Sequence, residues 1–578
     1  MSLPVVAPGT ERVSSGDREN QGPNQQNLSL QTQHSLARRL FEVLVVKDGE
    51  VYESNPEKNP KWYQKLLDAG IEENGIKPVP VDQRTLTQYN NLIPTGMLAT
   101  LGMGMKLRDA ALIILFFALL TCIPPAFMGI GGMETGLRQV VQARYSFGLY
   151  LVTIPLLLNA ATLTGFSLLS SIVGGQTLAS LDPDKISVSI GIIIACLVSF
   201  AVSLLGLKAL HFWERWTWIP NLISIVIAVG CGGKHLHLQS EGAPAKPSQV
   251  LTFGCLIAGY FLTFGGTVSD YSIYHKPRGV SKLKIFLYIY AGLLLPSVPL
   301  LILGAAIGGA VPNVPVWNAA YQVTGLGGVM SEMLTPAGGF GKFVLVMLAL
   351  SVIGNIAISM YSVALNLQML LPFFAKLHRF VFILSTIAIM IPLAILAAEK
   401  WEESLTNFLA VTGYWAGCFD AVLIIELVVF RRMDYSTYDH AIWNVGRALP
   451  PGFAATGASL TSLALVVPGM AESWYTGPIA KTTGDIGFEM AFVVTAICYV
   501  PFRWLEIRLR GRSPFSPVSG GDTTTPPDPN HVGAMVTMTE FTNPLSGGDS
   551  NELITSPPPS TMTLPSPSLF NSPNTSPI

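Results

Sequence analysis

Charge is what this chain has least of. Asp, Glu, Lys and Arg make up 12% of its 578 residues, against about 25% in a typical soluble domain. The formal net charge is −1, so no field exists to hold a polyanion, and nucleic acid is excluded as a partner. Cysteine is scarce as well. Cys122, Cys196, Cys231, Cys255, Cys418 and Cys498 lie in or beside apolar runs with no short paired spacing, which excludes a disulfide framework or a thiolate metal site. His235 and His237 have only Glu241 beside them, too few ligands for a metal. HExxH, GxSxG, CxxC and a phosphate-binding P-loop are all missing, so neither an enzyme nor an ATP-driven pump finds support. The first 30 residues carry no apolar core of a leader, and no cleaved signal peptide is expected.

What is present is apolar length. Half of the residues are hydrophobic, gathered into runs of the roughly 20 residues needed to cross a bilayer. Twelve candidate spans fall at about 86–105, 109–130, 147–172, 187–206, 217–233, 250–274, 285–309, 342–370, 380–398, 405–430, 451–470 and 485–504. Span 1 is the weakest, because Gln88, Asn90 and Asn91 interrupt it. With twelve spans, the connections on the side of the N-terminus carry about twice the Lys and Arg of the others. That bias places both termini in the cytoplasm. The expected organisation is an all-α membrane protein. A cytoplasmic tail covers 1–84, a twelve-helix domain 85–505, and a Ser/Thr/Pro-rich tail 506–578. The tails have compositions unable to bury a core, and they offer docking sites for cytoplasmic regulators. Residues 35–48 are amphipathic and suit either the inner membrane surface or a short soluble helix.

Polar residues at membrane depth mark function, because hydrocarbon cannot satisfy them. They gather in spans 1, 3, 6 and 8. Span 6, "GYFLTFGGTVSDY", is cut by Gly265–Gly266; span 1 carries Asn90, Asn91 and Pro94; span 3 carries Asn159 and Ser170; span 8 carries Asn355 and Ser359. Spans 1 and 6, like 3 and 8, are five apart. Two inverted five-helix repeats, each with a broken first helix, produce this pattern. Repeat one would cover about 85–233 and repeat two about 250–430, with extra helices at about 451–504. Close helix packing explains any one of these small residues equally well. Among the acids, Asp270 and Glu426 lie near basic inner edges and suit salt bridges, and Glu489 sits near the outer edge. Asp420 lies deeper, where it suits either a proton relay or a partner on a neighbouring helix.

Several strings resemble the fungal purine–cytosine permeases of the nucleobase–cation symporter-1 family. They include "GLRQVVQARYSFG", "SSIVGGQ", "SDYSIY", "FLAVTGYW", "YDHAIWN" and "WYTGPIAKTTGDIGFEMAF", and the likeness runs from about Gly70 to Gly511. The resemblance implies a LeuT-like 5+5 inverted repeat plus two C-terminal helices, and uptake of cytosine and purines, generally with protons. It also implies a substrate site. The family's "GW" pair on helix 3 falls on Gly165–Phe166, and its Asn one turn later on Ser170. The helix 6 aromatic, usually Trp, falls on Phe264, beside Gly265. Of two Asn residues on helix 8, one persists as Asn355 and the other is Ser359; a helix 1 hydroxyl falls on Asn91. Two phenyl rings still stack on a flat heterocycle, but losing amides weakens discrimination of a base edge. Hydroxyl ligands of sodium-coupled relatives fall on Ile353 and Gly354, which favours protons over sodium as the coupling ion. No other cofactor is implied.

The expectation is therefore a proton-coupled, plasma-membrane importer of nucleobases or related heterocycles, working by alternating access in the lipid bilayer. A nucleoside or vitamin-like substrate fits the altered pocket too. A transporter-like nutrient sensor with little flux would need the same site, and a channel lacks the charged or carbonyl rings it requires.

Overall fold

Proline and glycine set where the helices begin. The computed structural model describes residues 95–514, apart from 96, 204–206, 243, 274–279, 371–372, 375–376 and 512. A π-helical turn, Leu98–Gly102, precedes α1 (Leu107–Thr135), α2 (Gln139–Leu151), α3 (Thr153–Ala179), α4 (Val188–Ser203) and α5 (Leu207–Gly232). Next come α6 (Pro247–Leu262), α7 (Val268–Ser272), α8 (Lys282–Ala310), α9 (Pro315–Leu334) and α10 (Gly338–Leu370). The last are α11 (Arg379–Glu399), α12 (Trp401–Ile425), α13 (Phe453–Gly469) and α14 (Gly487–Arg510). Both α6 and α9 start on proline, where a missing N–H costs nothing. Gly338, at φ 59°, turns the chain from α9 into α10, a 33-residue helix about 50 Å long.

Among the described residues, eight segments are long and apolar enough to cross a membrane, and Val188–Ser203 and Phe453–Gly469 are shorter apolar helices. Half of span 1, residues 86–94 and 96, lies outside the described residues. Exposed Leu112, Phe116, Leu120, Leu393 and Leu396 give the bundle an apolar outer surface, as a bilayer requires. The buried side is tighter. A Cβ at Gly259 of α6 would lie 1.8 Å from the Leu409 carbonyl of α12, so only glycine lets these two backbones touch.

Two helices were absent from the twelve-span reading. The stretch containing α2 reads as a charged connection, yet Gln139 to Gly148 are all buried. Arg144 donates to Trp443 O and Asn444 Oδ1, which gives hydrogen-bond acceptors to a side chain that hydropathy counts as exposed. The other is α9, whose kink at Thr324–Gly325 packs against the last turns of α3. Span 3 was placed at 147–172, whereas α3 runs from Thr153 to Ala179. Its polar end, Gln176–Thr177, is buried, and Gln176 lies against Gly325 of α9, so hydropathy stops before the helix does.

Candidate functional site

The site begins at the interruption of α6. Helical hydrogen bonding tightens into a 3-10 turn at Thr263–Gly266, and Thr267 leaves helical geometry at φ −136°, ψ −13° before α7 begins. Glycine pairs weaken a helix by about 1 kcal/mol per residue. Here they also make room. A Cβ at Gly265 would lie 2.0 Å from Asp420 Oδ1 of α12, and one at Gly266 would lie 2.6 Å from Asn159 Oδ1 of α3. Asn159 Nδ2 donates to Gly266 O at 3.4 Å. Two polar side chains from two helices thus press directly on the break.

One turn before the break, Tyr260 organises the aromatic residues. Phe166 of α3 meets its ring edge-on at 5.9 Å, and Phe264 does so at 5.7 Å. Phe166 also stands perpendicular to Phe408 of α12 at 5.0 Å. Beside them, Asn355 Nδ2 of α10 donates to Ser170 Oγ of α3 at 3.0 Å. A cavity of ≈ 120 Å³ opens above this floor. Phe166, Ser170 and Tyr260 line it, with Ser351 of α10, Trp401 of α12 and Met330 of α9.

The structure therefore gathers Phe166, Ser170 and Asn355 directly and joins Phe264 to them through Tyr260. Gly265 turns the side that lacks a Cβ toward Asp420. Ser359, one turn beyond Asn355, is half-buried and is not among the cavity's lining residues. Asn91 lies outside the described residues. Sequence reasoning missed Tyr260, Trp401 and Met330. Tyr260 had a signal, since its i, i+4 spacing to Phe264 puts both rings on one helix face. Met330 had none, because α9 itself was not expected.

The acids divide sharply. Asp270 Oδ1 accepts from the Gln139 backbone N–H at 2.8 Å, filling an orphan donor at the start of α2; the basic neighbours expected for it, Lys276 and Arg278, lie outside the described residues. Glu426 is fully buried and salt-bridged, as its position suggested. It receives Arg503 Nη2 at 2.9 Å, Arg431 Nε at 3.2 Å and the Tyr499 hydroxyl at 2.9 Å. Asp420 is also fully buried, yet neither of its oxygens has a hydrogen-bond partner among the described residues.

Residues 86–488 match the family model described as a permease for cytosine/purines, uracil, thiamine, allantoin. The chain belongs to this permease family. A family of permeases is one of carriers, not enzymes. A purine-cytosine permease of Emericella nidulans is 32% identical over 80% of this chain and 94% of its own length. One from Saccharomyces cerevisiae is 30% identical over 84% and 96%. A vitamin B6 transporter of the same yeast is 27% identical over 78% and 90%. Two structures of Mhp1, a nucleobase-cation-symport-1 family transporter, share the fold at 14% and 15% identity. The closed form with bromovinylhydantoin bound has TM-score 0.56 and covers 76% of this chain and 96% of Mhp1; the inward-facing form has TM-score 0.57 and covers 75% and 94%. The permease fold is thus mostly helical, multi-pass and built for a membrane.

Proposed function

We propose that this permease imports nucleobases, cytosine and purines first, by proton-coupled alternating access across the plasma membrane. Twelve helices in a 5+5 inverted repeat plus two would carry it, with both termini cytoplasmic. One observation carries the reading: the Asn355–Ser170 hydrogen bond lies beside three rings under an apolar cavity. A planar heterocycle needs this combination, with ring faces for stacking and a few placed polar groups for its edge. An incoming base would stack among Phe166, Tyr260 and Phe264 and exchange edge hydrogen bonds with Asn355 and Ser170.

Protons are favoured over sodium by the side chains next to Asn355. Ile353 and Gly354 are buried and supply no hydroxyl, and the Ser351 hydroxyl is spent on the Leu348 carbonyl at 2.7 Å. Backbone carbonyls alone make a weak sodium site. A vitamin-like ring is the second reading, favoured by the likeness to a vitamin B6 transporter and by a pocket with fewer amides than its relatives' pattern. Expression in a fungal strain stripped of its own base permeases tests both. Labelled cytosine, adenine and hypoxanthine should accumulate, and a protonophore should abolish accumulation. Uptake of a pyridine vitamin alone would reject the nucleobase reading, sodium dependence would reject the coupling ion, and ligand binding without flux would mark a sensor.

A further inference from the structure

Within the helix that packs on the α6 break, Asp420 is a buried acid that the substrate site leaves unexplained. It lies on α12, fully enclosed, with both carboxyl oxygens unpartnered among the described residues. An isolated carboxylate removed from water costs several kcal/mol even after the protein relaxes, so such a group at membrane depth points to function. Among the described residues, the charged and titratable groups on the elements around it face other groups, and Glu489 Oε2 is likewise buried without a hydrogen-bond partner. Cys255 of α6 and Tyr414 of α12 face Asp485. Arg144 of α2 holds Asn444, and Glu134 of α1 faces Tyr435. Glu489 of α14 faces Asp485, and Tyr499 and Arg503 of α14 are bound to Glu426. Among the described residues, no donor reaches either oxygen of Asp420.

Its position is what gives this meaning. Asp420 presses on Gly265, and Asn159, whose Oδ1 is likewise buried without a donor, presses on Gly266. Three acceptor oxygens without donors among the described residues therefore lie against the break in α6. Phe264, the ring proposed to stack on substrate, is the residue immediately before Gly265. A shift of the break driven by substrate at Phe264 must move against the Asp420 carboxyl, since no Cβ separates them.

We propose that Asp420 carries the coupling proton, bound in this closed-in state and released when movement of the α6 break opens the carboxyl to water. The step is a simple ionisation: the carboxyl O–H bond breaks, the electron pair stays on Asp420, and the proton enters the aqueous phase on the receiving side. The reverse step takes a proton from the opposite phase. This inference rests on the proton-coupled reading above, and the closing experiment separates the two.

Asp420→Asn, Asp420→Glu and the unchanged protein would be compared in the permease-free strain for accumulation, for exchange of labelled against unlabelled base, and for pH profile. Unchanged protein should accumulate base in a protonophore-sensitive manner. Asp420→Asn should keep exchange within about twofold and lose accumulation at least tenfold, because an amide copies a neutral carboxyl but cannot ionise. Asp420→Glu should retain accumulation with a displaced pH profile. Accumulation by Asp420→Asn with an unaltered pH profile would overturn the proposal while leaving proton coupling intact. Failure of Asp420→Asn to reach the membrane would also overturn it, since a neutral isostere must be tolerated where the carboxyl is neutral. Sodium-driven accumulation by the unchanged protein would instead overturn the proton-coupled reading beneath it.

Discussion

Asp420 and Glu426 sit six residues apart near the end of one helical run, both fully buried, and they could hardly be treated more differently. Glu426 is surrounded by Arg431, Arg503 and Tyr499, and Arg503 is tied in turn to Glu506 at 2.6 Å. This is a satisfied network that pins α14 against the end of α12. Asp420 faces a glycine backbone and, among the described residues, no donor. Burial alone thus says little about a carboxyl. What separates this fastener from the proposed working group is whether donors come with the burial and whether the carboxyl lies against the break in α6.

The comparison breaks most readily at the fastener. Arg503→Met should strip Glu426 of its closest donors and cost about 3–5 kcal/mol, the usual result of halving a buried ion pair. Thermal unfolding in detergent should show the largest drop of any substitution named here. Asp420→Asn in the same assay should shift the midpoint little. A smaller effect is expected at the contact itself. Gly265→Ala places a methyl 2.0 Å from Asp420 Oδ1, an overpacking of about 1–3 kcal/mol. Uptake should fall sharply, and adding Asp420→Ala should restore part of the stability, which a double-mutant cycle would read. Phe264→Ala should weaken competition by unlabelled base about tenfold, in line with about 1–3 kcal/mol for stacking on an aromatic side chain, without altering the midpoint much, whereas Tyr260→Ala, which empties a buried site, should lower both.

The smallest effect concerns a third acid, outside the membrane helices. Glu472, in the hairpin Ala471–Thr476, is pushed up to about 8 by burial and by neighbouring Asp485. Its folded form therefore keeps a proton that the unfolded chain gives up near pH 4.5. That contribution to stability is full below the unfolded value and is lost as pH rises toward 8. The midpoint should slope downward from pH 5 to 8, and Glu472→Gln should flatten the slope.

Much of this was legible in the residues. Gly265–Gly266 in an apolar run announced the break, and the matched polar residues of spans 3 and 8 pointed to the Ser170–Asn355 contact. A charged residue near a basic edge, Glu426, was correctly expected to pair. The rest needed three dimensions. Hydropathy cannot see α2, because Arg144 is hydrogen-bonded to groups about 300 positions away. It cannot see that α9 covers the cavity, because amphipathic length does not say what a helix packs on. Two uses for Asp420 stood open for the same reason: whether a donor faces it depends on α3, α6 and α14 together, not on its own run.

The most direct test watches the Asp420 carboxyl itself. Infrared difference spectra of the reconstituted permease, recorded with and without cytosine, should contain a protonated-carboxyl C=O band that changes on substrate binding. The band should vanish in Asp420→Asn and persist in Glu472→Gln. A substrate-induced carboxyl band that survives Asp420→Asn unchanged, or no such band in the unchanged protein under proton-coupled conditions, would contradict the distinction between the working acid and the fastener.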